Sequence, residues 1–393
     1  MAANYSIRLT TRGTSCTFNE RKVGKIILNG EIITDQTKIE DTILAVKKKD
    51  NLKNYKNLEK FHAIIVEENC SVNLENLISG FESSGINHLS NKDIVTIDPL
   101  SKVIRTIYRP KSKNNTIFTT ERCNSNCLMC SQPPKDIDDS YIVNDIIRML
   151  HLIDVSPTSL GITGGEPLIL KSELLKILKL IKEKFPTTYV HMLSNGRYLA
   201  FKDIANEIGK IDNQKFMIAI PLYADVPEVH DYIVQAKGAF DQTINGIYNA
   251  YRNNISIEIR IVLHKQSIPR LTKLADYIVS NFPFVKHVAL MGLENMGYVK
   301  KNWDDLWIDP VDYSIDLKNA VKKLHYNFFH VSIYNLQLCL LNKDLWSFSR
   351  QSISDYKNVY LDECNSCDVK NYCAGLFSSS ISRHSKNINA QKI

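Results

Sequence analysis

Between Thr116 and Leu324, short β-branched runs alternate six times with stretches of helical apolar spacing, and that alternation restricts the fold more than any other feature of the chain. The strand-like runs are Thr116–Thr119, Ser159–Ile162, Tyr189–Ser194, Phe216–Pro221, Ser256–Leu263 and His287–Met291. Helical patterns lie near Asp139–Ile153, Lys171–Phe185, Tyr198–Gly209, Ala239–Asn253, Leu271–Phe282 and Pro310–Leu324. Within Ser172–Phe185, Leu174, Leu175, Leu178, Ile181 and Phe185 form one apolar stripe, with Lys176, Lys179, Lys182 and Lys184 opposite. Repeated βα units require a parallel sheet with right-handed crossovers. The expected fold class is α/β, an open or partial (β/α)6 barrel whose site lies at the C-terminal ends of the strands.

Three parts follow: a β-rich domain over 1–114, the barrel core over 115–328 and an extension over 329–393. In the first part Ser6–Thr10, Val23–Leu28, Ala63–Glu67, Asp93–Ile97 and Val103–Tyr108 read as strands. Glu40–Lys48 and Leu74–Ser83 read as helices. The polar Arg109–Asn115, containing Pro110, reads as a linker. In the extension a strand-like His330–Tyr334 precedes cysteine-rich sequence, and the polar Ser378–Ile393 is expected to be loose. At 44% hydrophobic and 23% charged residues the composition is that of an ordinary soluble protein. No run of about 18 apolar residues is present, and Met1–Arg8 has no apolar signal core. The expectation is a cytoplasmic protein without membrane contact. A net charge of +7 is spread along the chain. The lysines at 47–49 and at 111 and 113 read as solvated surface, so no nucleic-acid partner is expected.

Nine cysteines carry more information. Seven fall into two groups, which in a cytoplasmic chain points to metal or redox chemistry before disulfides. Cys123, Cys127 and Cys130 follow the first barrel strand with C-x3-C-x2-C spacing. Three thiolates hold three corners of a [4Fe–4S] cube, leaving an iron open to a substrate; zinc is the alternative, although no fourth ligand lies near in sequence. Cys339, Cys364, Cys367 and Cys373 are enough to ligate a second [4Fe–4S] cluster in full, or a structural zinc. Cys16 and Cys70 stand alone and read as buried apolar thiols.

Other candidate residues sit at strand ends. Gly164 and Gly165 allow close backbone approach to a ligand, and Glu166 beside exposed backbone groups suits an ammonium. Ser194 and Asn195 have the hydrogen-bonding groups for ribose hydroxyls, or make an Asn-Gly turn. Arg260, within the fifth strand, suits a carboxylate or an internal ion pair. Ile220–Tyr223 and Met291–Glu294 end the fourth and sixth strands.

The triplet with Gly164-Gly165-Glu166-Pro167 resembles the signature of the radical S-adenosylmethionine (radical SAM) superfamily. One departure is Met129, where relatives usually have an aromatic residue. The resemblance implies that SAM fills the open iron through its amino and carboxylate groups. One electron then cleaves its S–C5′ bond and releases the 5′-deoxyadenosyl radical. It also implies that the Gly-Gly-Glu-Pro segment meets the methionine amino group, Ser194 and Asn195 the ribose, and Arg260 the carboxylate. The tail is similar to SPASM and twitch extensions. A further C-x3-C element is missing after Cys373, so one auxiliary cluster is expected.

From about residue 93 to about 380 the chain resembles the His-Xaa-Ser system radical SAM maturase family, HxsC type. Thr120–Ser125, Cys130–Pro134, Ile220–Tyr223, Arg350–Asn358 and Tyr360–Cys364 carry that similarity. It implies modification of a ribosomally made peptide or small protein, alongside a second radical SAM protein and an electron donor such as flavodoxin or ferredoxin. A radical enzyme acting on a small nucleotide-like molecule is the alternative, and a zinc-binding, non-catalytic protein a further one. The N-terminal domain is expected to be a scaffold or to recruit a peptide leader by strand addition at a sheet edge.

Overall fold

The computed structural model describes residues 10–28, 36–47, 58–68, 77, 79–83, 85–351 and 358–393. The N-terminal part is a closed barrel in which β1 (Thr10–Cys16), β2 (Lys22–Leu28), β3 (Thr42–Val46), β4 (Ala63–Glu67), β5 (Gly80–Ser83), β6 (Ile94–Asp98) and β7 (Val103–Tyr108) run in the order β1-β5-β4-β3-β2-β6-β7. β1 pairs with both β5 and β7, so each strand of this sheet has two neighbours. Among the described residues, strand addition therefore has no open edge to use here.

Two helix expectations fail in this domain. Thr42–Val46 is a strand, buried at every position between β2 and β4. A short apolar run cannot be told from a helix turn by periodicity, and burial on both faces of a parallel strand removes the alternation. Gly80–Ser83 is likewise a strand rather than the end of a helix. Residues 74–76 and 78 of that stretch and most of Ser6–Thr10 lie outside the described residues, as does Cys70. Cys16 is half-buried, its thiol donating to the Phe18 carbonyl at 3.3 Å.

The core is a parallel sheet of seven strands in simple sequence order: β8 (Asn115–Phe118), β9 (Ser159–Thr163), β10 (Tyr189–Leu193), β11 (Phe216–Pro221), β12 (Ser256–Leu263), β13 (His287–Gly292) and β14 (His330–Tyr334). β14 pairs in parallel with β13 and extends the sheet by one strand beyond the six read from the sequence. The crossovers carry α1 (Tyr141–Leu152), α2 (Ser172–Lys184), α3 (Lys202–Lys210), α4 (Pro227–Val234), α5 (Ala239–Arg252), α6 (Leu271–Asn281), α7 (Trp303–Leu306) and α8 (Ser314–Tyr326). Alternate strand residues such as Ile257, Ile259, Ile261 and Leu263 are buried against the helices in one continuous core. Glu258 and Arg260 therefore lie on the other face, toward the interior of the partial barrel.

Helix α1 joins the two parts. Its Asp145 pairs with Arg21 at 2.7 Å, and its Arg148 donates to the Val23 carbonyl at 2.8 Å and pairs with Asp41 at 2.9 Å. The segment between β7 and β8 is an ordered turn. The Asn115 side chain accepts from Arg109 N at 2.8 Å and donates to the Arg109 and Ser112 carbonyls. Lys111 and Lys113 of this turn line, with Lys25 and Lys92, a cleft where the two parts meet. Lys25 pairs there with Asp154 at 2.6 Å. No helix among the described residues is long and apolar enough to cross a membrane.

Candidate active site

The loop Glu121–Cys130 leaves β8 at its C-terminal end, and its path is fixed from several sides. Asp139, whose side chain is fully buried, accepts from Thr120 Oγ1 at 2.8 Å, Glu121 N at 2.6 Å and Arg122 Nε at 3.2 Å. Asn126 N and Leu128 N donate to the Val234 and Ile233 carbonyls at the end of α4. Asn302 donates to the Leu128 carbonyl at 2.8 Å, and Tyr298 N to the Cys130 carbonyl at 2.8 Å. Gly297 has a positive φ of 54°, and a Cβ there would stand 2.2 Å from the Cys130 carbonyl oxygen, so only glycine fits.

The ends of β9 and β10 close on this loop. Gly165 N donates to the Thr120 carbonyl at 2.7 Å and Glu166 N to the Arg122 carbonyl at 2.8 Å. A Cβ on Gly165 would meet the Arg122 carbonyl oxygen at 2.1 Å, and one on Gly164 would come within 2.8 Å of Thr119 Oγ1. These glycines thus let the second strand end lie against the cysteine loop. The Glu166 carboxylate is wholly buried and accepts from Leu168 N at 2.9 Å, Ser194 Oγ at 2.7 Å and Asn195 N at 2.6 Å. Burial raises its pKa, and those three donors work against the rise. Ser194 is similarly committed, its hydroxyl donating to Glu166 and accepting from Gly196 N at 3.0 Å.

Asn195 reaches furthest toward the thiols. Its amide donates to Asn124 Oδ1 at 2.6 Å, with Ser125 Oγ at 3.5 Å and Cys123 Sγ at 3.9 Å. The next side chain but one, Arg197, donates to the Asn124 carbonyl and to Ser125 Oγ at 2.9 Å, and its Nε to Gln242 at 2.7 Å. Asp139 and Arg197 were not singled out in the sequence. Their distances from the cysteines, nine and more residues along the chain, hide the fact that both hold the same loop.

The three cysteines are half-buried neighbours. Burial pushes the Cys127 thiol up to about 12, helped by the charges of Cys130 and Cys123, and the Cys123 thiol up to about 11. Thiols this reluctant to ionise alone need a positive partner to become thiolates, which a metal cluster supplies. Met129 packs into an apolar cluster with Tyr223, Ile233, Val234, Val299 and Leu306 beneath the loop. Tyr223 keeps its proton through burial and the Cys127 charge, with Arg260 acting against. Arg260 itself lies against the Met291 sulfur at 2.8 Å and Glu258 at 3.6 Å. Both of these partners belong to β12 and β13. Below, Glu258 meets His287 at 2.7 Å and His191 at 3.4 Å. Burial would raise its pKa, but hydrogen bonds from both histidines and the charges of His191 and Arg260 outweigh it and hold the carboxyl below its ordinary range.

Residues 117–278 match the family model of the radical SAM superfamily. The chain carries a radical SAM domain. Over 220 residues it is 23% identical to the Fe-coproporphyrin III synthase of Methanosarcina barkeri, covering 54% of this chain and 53% of that protein. The chain thus spans about half the length of this curated relative. Among solved structures it is similar to Streptococcus suis SuiB bound to S-adenosylmethionine, at 14% identity and a TM-score of 0.46, covering 65% of this chain and 55% of that one. It is also similar to native anSMEcpe with bound AdoMet and a Cp18Cys peptide, at 18% identity and a TM-score of 0.43, covering 56% of this chain and 62% of that one. The radical SAM superfamily uses a [4Fe–4S] cluster and SAM, and its members are enzymes. The radical SAM domain here places its thiol loop at the C-terminal end of the parallel sheet, where such folds keep their chemistry.

The remaining cysteines form a second group. Cys339 follows β14 in a short turn, Cys364 lies within another that Cys367 ends, and Cys373 ends a third. All four line one cavity with Tyr360, Val369 and Leu376. Burial, then the charges of Cys373 and Cys364, hold the Cys339 proton on. Burial and the charges of Cys373 and Cys367 do the same for Cys364. Four thiols lining one cavity are a donor set compatible with an auxiliary iron–sulfur cluster. The expectation of a loose tail fails, because residues 385–393 pack against this site. Of the stretch Arg350–Asn358, residues 352–357 lie outside the described residues.

Proposed function

We propose that this chain reductively cleaves SAM at the Cys123, Cys127 and Cys130 loop and directs the resulting radical at a ribosomally made peptide or small protein. The observation that carries the first half is the clamped thiol loop, held by Asp139, Arg197 and the Gly164–Glu166 segment at the strand ends. The three thiols would hold the cluster, which when bound supplies the electron that breaks the S–C5′ bond. Gly164 and Gly165 leave room for the loop that carries those thiols. Asn195, whose amide nitrogen lies 3.9 Å from Cys123 Sγ and whose two polar atoms are both engaged, would meet the ribose. Arg260 would meet the SAM carboxylate.

The peptide half is supported by the sequence resemblance to the His-Xaa-Ser maturases and by the second thiol group. A cluster held by Cys339, Cys364, Cys367 and Cys373 would take up an electron as the substrate radical is oxidised. The system implies a flavodoxin- or ferredoxin-like donor and a partner radical SAM protein. The eight described cysteines are free thiols. A second reading is a small-molecule substrate, which the name of the Methanosarcina barkeri relative favours. The test is anaerobic incubation of reconstituted protein, SAM and reductant with a His-Xaa-Ser repeat peptide encoded nearby. A mass change in the peptide supports the proposal. SAM cleavage with an unaltered peptide removes the substrate half.

A further inference from the structure

The segment from Ser385 to Ile393 lies across the mouth of the second thiol site. At one end Ser385 Oγ donates to Asp309 Oδ1 at 3.0 Å and Asn387 Nδ2 to Asp309 Oδ2 at 3.3 Å. At the other, Asp368 N donates to the Gln391 carbonyl at 3.0 Å, Ile393 N to Asp368 Oδ2 at 3.2 Å, and Lys392 pairs with Asp368 at 3.2 Å. Between these anchors Ile388 and Asn389 form part of the cavity wall. Two backbone amides of the segment turn inward: Gln391 N donates to Cys367 Sγ at 3.3 Å, and the Asn389 amide faces the Cys339 sulfur. A third donor to a thiol, Leu338 N to Cys373 Sγ at 3.5 Å, belongs to the core side.

We propose that this segment is a strap that closes the auxiliary site and sets its reduction potential, with Gln391 and Asn389 as positioning residues acting through Cys367 and Cys339. The inference rests on the reading of the tail thiols as an iron–sulfur site. N–H groups aimed at sulfur stabilise the more negative, reduced state, and burial from water shifts the potential as well. Because the strap is tied by Asp309 on the core and Asp368 on the tail, its closure depends on how the tail sits on the sheet. The thiols of the first site lack such a cover from the same segment, so the device acts on one cluster only.

The experiment is a redox titration of the full-length, reconstituted protein by electron paramagnetic resonance, following the signal that does not respond to SAM. Gln391→Pro removes the N–H, and Gln391→Ala keeps it. The expected result is a negative shift for the proline variant of up to tenfold in the one-electron equilibrium, about 59 mV, with the alanine variant at the wild-type value. A second variant, Asp309→Ala with Asp368→Ala, is expected to lose iron to a chelator several-fold faster from this cluster while the SAM-responsive cluster loses it at the wild-type rate. Equal potentials for the two Gln391 variants, or an unchanged rate of iron loss, overturn the strap. Wild-type protein holding about four irons with zinc overturns instead the reading beneath it.

Discussion

The two thiol sites are built in opposite ways. Cys123, Cys127 and Cys130 sit within eight residues on one loop, and the barrel holds that loop from outside through Asp139, Arg197, Asn302 and the end of α4. Cys339, Cys364, Cys367 and Cys373 come from three separate turns, and a further segment closes over them. The first site is pre-shaped by the sheet, so its geometry survives changes elsewhere. The second has its thiols brought together by chain segments that pack on the core, and depends on those contacts for its shape. A site meant to present one open iron to a ligand gains from rigid placement. A site meant to be fully ligated gains from enclosure.

The largest effect that tests this contrast is replacement of all three loop cysteines by alanine. Formation of 5′-deoxyadenosine is expected to vanish, while the tail retains its iron. Replacing the four tail cysteines is expected to leave SAM cleavage measurable and to abolish peptide modification. Next is Gly165→Ala, whose Cβ would stand 2.1 Å from the Arg122 carbonyl. Overpacking of this kind costs about 3 kcal/mol, visible in denaturant melts together with loss of the first cluster. The matching glycine of the tail, Gly375, has its nearest such contact at 3.0 Å, but its φ of 65° makes alanine strained there as well.

Glu166→Gln is expected to cost less, about 2 kcal/mol, because an amide accepts at one atom only and sets its NH2 against one of three donors. Its effect is confined to the first site, so the SAM-independent signal stays unchanged. The smallest effect is at Glu258. Its carboxyl lies below the ordinary range in the folded chain, so its stabilising contribution is complete above about pH 4.3 and is lost as the pH falls toward the folded value. Glu258→Gln is expected to cost about 1 kcal/mol at neutral pH, with the gap to wild type closing on acidification. A gap that widens below pH 4 contradicts the assignment.

Much of this architecture is legible in the sequence because parallel strands alternating with amphipathic helices leave a double signature. The strand at Ala63–Glu67 and the helix at Ala239–Arg252 fall where the spacing puts them, the helix to within one residue. Thr42–Val46 was misread because a strand buried on both faces has no alternation to display. Helix α4 was missed because Pro227–Val234 is short and its apolar face is broken by His230, which burial keeps neutral by lowering its pKa to about 4. In the site, cysteine spacing and the Gly-Gly-Glu-Pro run are local and therefore visible. The roles of Asp139, Arg197 and the 385–393 segment depend on contacts across tens of residues, and polar tails with no periodicity look alike whether they are free or docked.

The most direct test of the account is iron and sulfide content with electron paramagnetic resonance of the anaerobically reconstituted chain, with and without SAM. The account predicts about eight irons, one cluster signal altered by SAM, and an unaltered signal that survives loss of Cys123, Cys127 and Cys130. Zinc alone, with no response to SAM, would contradict it.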